Sequence, residues 1–227
     1  MVVNVEPIFP KWANKIPRYL AVGIPVTLAI AIGLIWYYFT PKFLQVGYQP
    51  EQPVPFSHQL HAGKLGMDCR YCHSKVEEEA YAQIPPTQTC MGCHNKVKKD
   101  SPRLTEVIKS YEKNISIPWI KIHKLPKYAR FNHSAHLSVG VSCQKCHGRV
   151  DKMEVVRQVE PLSMGWCLDC HRHPNNKIGP KDQITNLPFA ESLHLNSSGK
   201  RVSFEQTKLS PIKTFEAPTS DCGACHY

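Results

Sequence analysis

Ten cysteines and twelve histidines draw attention in this chain of 227 residues because of how they are spaced. All ten cysteines form C-x-x-C pairs, and a histidine follows each pair directly. The motifs are Cys69/Cys72/His73, Cys90/Cys93/His94, Cys143/Cys146/His147, Cys167/Cys170/His171 and Cys222/Cys225/His226. A random order of the same residues would give about 0.02 such motifs, so five with no cysteine left over are not chance. The order suits one chemistry. Two thiols close in sequence add to the two vinyl groups of one haem, and the adjacent histidine takes an axial position on its iron. Zinc wants four tetrahedral ligands, so the pairs would have to combine two by two and one pair would remain. Structural disulfides leave the histidines unexplained. The motifs read as attachment sites for five covalent haem c groups.

A low-spin iron needs a second axial ligand. Seven histidines lie outside the motifs: His58, His61, His123, His133, His136, His173 and His194. Four of them sit in a repeated F-x-H-x-x-H element. Phe56-Ser57-His58-Gln59-Leu60-His61 precedes the first motif, and Phe131-Asn132-His133-Ser134-Ala135-His136 precedes the third. Histidines three apart share one side of a helical turn, so each element reaches two neighbouring haems. His123 completes a set of five, whereas nothing repeats around His173 or His194. Met153 is the main competitor as a thioether ligand, with Met164 a weaker one; a His–Met iron has a higher potential than a bis-His iron. Candidate ligands outnumber the irons, so no iron position is left open for substrate. That disfavours a substrate-reducing enzyme, and no catalytic residue is assigned.

These residues need elements to hold them. The repeat divides the chain into halves at about 56–94 and 131–171, with the fifth motif at 222–226 after a long connection, 172–221. That connection holds Pro174, Pro180, Pro188, Pro211 and Pro218, and long loops of this kind are commonly functional or docked on a partner. Residues 42–227 leave roughly 37 residues per haem, so the macrocycles must form most of the core. The expected fold is a multihaem cytochrome: a few short α-helices, among them Thr105–Tyr111, and long loops around five haems, with little β structure.

Ahead of this part, residues 19–41 contain no charge and are rich in Leu, Ile and Val. A spanning helix needs about 20 such residues, and a secretory signal has a shorter apolar region. The reading is an uncleaved anchor over 19–41, with Pro25 removing one donor inside it and Trp36, Tyr37 and Tyr38 at the distal interface. Lys11, Lys15 and Arg18 precede the span, against Lys42 just after it. Residues 1–18 are thus expected in the cytoplasm and 42–227 on the periplasmic side of the inner membrane. Haem c is attached on that side too.

The polypeptide carries a net charge of +10. Propionates change the sum, since each ferric bis-His haem adds about −1 and each ferrous one about −2. The basic residues are scattered, which gives a nucleic-acid partner no support.

The F-x-H-x-x-H…C-x-x-C-H layout resembles the class III multihaem cytochromes. Three further segments resemble the pentahaem cytochrome c subunits of bacterial Alternative Complex III: Pro118-Trp119-Ile120-Lys121-Ile122-His123-Lys124-Leu125-Pro126, the Phe131–His136 element, and Pro161-Leu162-Ser163-Met164-Gly165-Trp166-Cys167. The class III resemblance implies that His58 serves the first haem and His133 the third, with His61 and His136 serving other haems. The complex implies an electron relay that is not catalytic on its own. Electrons from quinol would arrive from an iron–sulfur subunit and leave to a monohaem cytochrome or a terminal oxidase. The alternatives are a quinol dehydrogenase of the NapC/NirT type and a multihaem reductase, which an open iron position would reveal.

Overall fold

The computed structural model describes residues 9–40, 45–174, 177–192 and 220–226. By its contacts the chain separates into residues 1–44 and 45–227.

In the first unit a 3-10 turn, Lys11–Lys15, leads into helix α1, Ile16–Tyr38. Pro17 sits in its first turn, where the missing N–H has no helical partner to lose, so the helix starts ahead of the uncharged run. It continues through Pro25 and ends where Phe39 leaves helical geometry. The helix therefore begins and ends three residues before the uncharged stretch does. Charge marks where a chain meets lipid, whereas backbone geometry marks where a helix stops. Its bulky apolar side chains, Leu20, Ile24, Leu28, Ile32 and Ile35 among them, are all exposed. By length and composition this helix is long and apolar enough to cross a membrane.

The second unit has the fold of a multihaem cytochrome. Its helices are short: α2 (Cys69–Cys72), α3 (Thr87–His94), α4 (Thr105–Lys113), α5 (His133–Ser138), α6 (Gln144–His147), α7 (Met164–Arg172), α8 (Leu187–Ser192) and α9 (Cys222–Cys225). Among the described residues there is no strand, only the isolated bridges Ala129–His226 and Val141–Ile178. Helix α4 runs two residues beyond the expected Tyr111 and packs on α3 through a face that buries Val107 and Ser110. Asn114, in the left-handed conformation at φ 53°, ends it.

The apolar core is thin. Val76, Leu137 and Ile184 cluster with Ala82 and Cys143, and no large side chain among the described residues is fully buried. Leu60, Leu65, Tyr71 and Ile84, all near the first two motifs, remain exposed. A chain this long normally covers such side chains with its own core.

Two docking contacts join the halves. The Gln59 N–H donates to the Met153 carbonyl, and Ser57 Oγ donates to Glu154. In return, the N–H groups of His133 and Ser134 donate to the carbonyls of Ala80 and Glu79. Each F-x-H-x-x-H element thus docks on the segment that follows the other half's first motif. The fit is close at Gly63, where a Cβ would collide with the Asp151 carbonyl oxygen.

The early part of the 172–221 connection straps the chain's own third motif. Ile184 accepts from Cys143 N–H and Ser142 Oγ, and Thr185 Oγ1 donates to Asp68 beside the first motif. Gly179 N–H donates to Gly140, which holds φ +91° and leaves no room for a Cβ against the Gly179 carbonyl. The sequence left this segment open to docking on a partner. Over residues 177–187 it packs on its own chain instead, because Ile178, Ile184 and Leu187 bury their apolar side chains there. His194 lies outside the described residues.

Candidate haem-binding sites

Each motif folds as a helical turn: α2, α6 and α9 are little more than the motif, and α3 and α7 carry it at their C-terminal ends. Cysteines at i and i+3 then share one face, as attachment to a single ring requires. Side chains start these turns. Asp68 accepts from Arg70 N–H at 2.8 Å, and Ser163 accepts from Trp166 N–H at 3.4 Å. All ten thiols are free, and among the described residues no three metal-ligating side chains converge.

The ten thiols are not equivalent. Cys93 and Cys222 are exposed, while their motif partners Cys90 and Cys225 and the other six cysteines are half-buried. The reason is the thin core: the polypeptide has too few apolar side chains to enclose all five motifs. At Cys93 and Cys222 cover would have to come from the attached ring. Their i, i+3 spacing with Cys90 and Cys225 on α3 and α9 still fits attachment.

The second histidines come to meet the motifs. Phe56 packs edge-on against His58 at 4.8 Å and flat against His61 at 4.5 Å. Phe131 repeats this with His133 at 4.8 Å and His136 at 4.4 Å. Each phenyl ring splays its two histidines towards different motifs. The ring centres of His61 and His94 are 6.1 Å apart, those of His133 and His147 6.4 Å, and those of His136 and His171 6.2 Å. Two imidazoles bound to opposite sides of one metal, at about 2.0–2.1 Å per bond, have centres about 6.3 Å apart. The three spacings match. His58 lies close enough to His73 for the two to interact electrostatically.

Hydrogen bonds prepare these rings for iron. Nδ1 of His61 donates to Ser57 O at 2.8 Å, of His73 to Gln83 O at 2.7 Å, and of His94 to Val97 O at 2.9 Å. His133 donates to Ala80 O and His136 to Asn132 O, both at 2.7 Å. With the proton on Nδ1, the Nε2 lone pair is free for a metal and the ring is oriented. Burial, with neighbouring His73 and His61, lowers the His58 pKa to about 4. Burial, with His123 first among its neighbours, lowers His147 to about 3. Both are thereby held neutral, the form that binds metal. His58 Nδ1 and His123 Nε2 are buried without a hydrogen-bond partner.

The other candidates are placed differently. His123 stands edge-on to His147 at 4.3 Å. The ring recorded against His226 is Tyr128, at 5.8 Å. Met153 meets the first element through its carbonyl, Met164 is exposed, and His173 is exposed and faces Asp169 at 3.6 Å. Sequence reasoning missed the carbonyls of Ala80, Gln83 and Val97. An orienting carbonyl leaves no residue-type signal, because every residue has one.

Comparison with known proteins agrees with this geometry. Residues 54–113 match the family of cytochrome c7 and related cytochrome c. The match spans the first F-x-H-x-x-H element and the first two motifs. The multihaem cytochrome c subunit of menaquinone reductase from Nitratidesulfovibrio vulgaris is 34% identical over 123 residues, 54% of this chain and 56% of that protein. The chain therefore spans little more than half the length of that relative. Thiols on one helical face, histidines in facing pairs and uncovered apolar side chains all fit covalently bound haem c.

Proposed function

We propose that this chain is the electron-relay subunit of a membrane quinol-oxidising complex of the Alternative Complex III kind and carries five haem c groups. The facing histidine pairs carry the reading: at the second, third and fourth motifs a second histidine stands at the spacing that would fill both ligand positions of one iron. Haem c supplies an iron that gains or loses one electron with no bond made or broken. The chain's own residues hold and tune it. Cys69/Cys72, Cys90/Cys93, Cys143/Cys146, Cys167/Cys170 and Cys222/Cys225 would attach the five rings, and the histidine after each pair would be one ligand of its iron. His58, His61, His133 and His136 would supply the other ligand at the first, second, third and fourth sites. His123 and Met153 are the remaining candidate ligands; a Met ligand would raise the potential of the iron it bound.

The relative named as a menaquinone reductase subunit supports a quinol-linked setting, and α1 supports attachment to the inner membrane with the haem part on the periplasmic side. An iron–sulfur subunit is the proposed donor, and a monohaem cytochrome or terminal oxidase the proposed acceptor. Intact mass and co-purification test this together. The expected result is five haems on the chain and an iron–sulfur subunit in the complex. Four haems or fewer, or a quinol dehydrogenase active without partners, would replace the reading. Rapid carbon monoxide binding to a native high-spin haem would favour the reductase alternative.

A further inference from the structure

We infer that the five attachment sites form one unbranched row in the order second, first, third, fourth, fifth, so that the second and fifth sites are its ends. This order differs from the order in sequence, and it rests on the proposal that every motif carries a haem.

The first step of the row comes from the first F-x-H-x-x-H element. It presents His61 to His94 of the second motif. The same element is clamped to the first motif by its own run-in, where Leu65 N–H donates to Leu60 and Met67 N–H to His61. The second and first sites therefore flank one rigid turn, with Phe56 packed against both of its histidines.

The next step joins the two halves at their first motifs. Each element docks just beyond the other half's first motif, at Ala80 and at Met153. His133, which faces His147 of the third motif, donates its orienting hydrogen bond to the Ala80 carbonyl in the first half. The strap adds a second link, since Thr185 bonds Asp68 beside Cys69 while Ile184 bonds Cys143. The first and third sites are thus neighbours at the centre, although the second motif lies between them in sequence.

The second element then repeats the first step. It presents His133 to the third motif and His136 to the fourth. The fifth motif joins at the base of this element, where Arg130 N–H donates to the Cys225 carbonyl at 2.7 Å and Ala129 bridges to His226. The third site already has the first and the fourth beside it, so in an unbranched row the fifth site follows the fourth. The two exposed thiols, Cys93 and Cys222, belong to the second and fifth sites. That is where a row leaves its members with a neighbour on one side only.

The test uses the full chain in detergent, after intact mass has shown five haems. In the fully reduced, diamagnetic state, proton cross-relaxation connects only haem substituents in near contact. The His61→Ala and His136→Ala variants identify the second and fourth haems by the resonances they move. Cross-peaks are expected for second with first, first with third, third with fourth and fourth with fifth. A cross-peak between the second haem and the third, fourth or fifth would overturn the order. So would the absence of one between the first and third. A mass below five haems counts against the haem assignment instead, so the two failures are distinguishable.

Discussion

His133 donates its orienting hydrogen bond to the Ala80 carbonyl, 53 residues away in sequence, so the aim of one candidate ligand depends on a backbone atom in the other half of the unit. The histidines themselves were legible, because F-x-H-x-x-H occurs twice and C-x-x-C-H five times. Which motif each one faces was not, since that depends on how the Phe56 and Phe131 rings splay their neighbours. Nor was the exposure of Cys93 beside a half-buried Cys90, because the two occupy equivalent places in the motif. Replacing His136 by Ala should turn one haem, the fourth, high-spin in electron paramagnetic resonance. The third should stay low-spin on His133, and the mass should still show five haems. Replacing His133 should instead disturb the third. A high-spin third haem in the His136 variant would show that this histidine serves the site just downstream.

Elements built by local rules could be read in advance: α1 from its uncharged run, and α4 over Thr105–Tyr111, though not its last turn to the Asn114 stop. The strap over 177–187 could not, because its contacts are backbone bonds to Gly140 and Cys143 that no periodicity announces. Its cost of disruption can be measured. Gly140→Ala meets both a positive φ and the Gly179 carbonyl, and Gly63→Ala drives a methyl into the Asp151 carbonyl. Each should lose on the order of 1–3 kcal/mol in thermal unfolding, since backbone gives way poorly. Gly165→Ala, which meets nothing within 4 Å, is the control and should melt within about 0.5 kcal/mol of the parent. Asn132 caps α5 through Ala135 N–H, so Asn132→Ala should cost about 1 kcal/mol and loosen His136, whose ring bonds the Asn132 carbonyl.

At the scale of the molecule, composition foretold a unit with little core of its own, and the few buried apolar residues agree. A protease added outside intact cells stripped of their outer membrane should cut from Glu51 onward and spare residues 1–18. Cleavage within 1–18 would reverse the proposed topology. The crossed docking also bears on how the chain is made. Ser57 and Glu154 are 97 positions apart, so their contact closes a loop that includes three of the five motifs. Closing so long a loop costs entropy before any contact repays it, which makes such pairings slow. In the proposed topology the first two sites reach the far side of the membrane without a partner surface, which comes only with the third. Haem would then be attached there to an open chain, and the finished shape would wait for the second half to close the first.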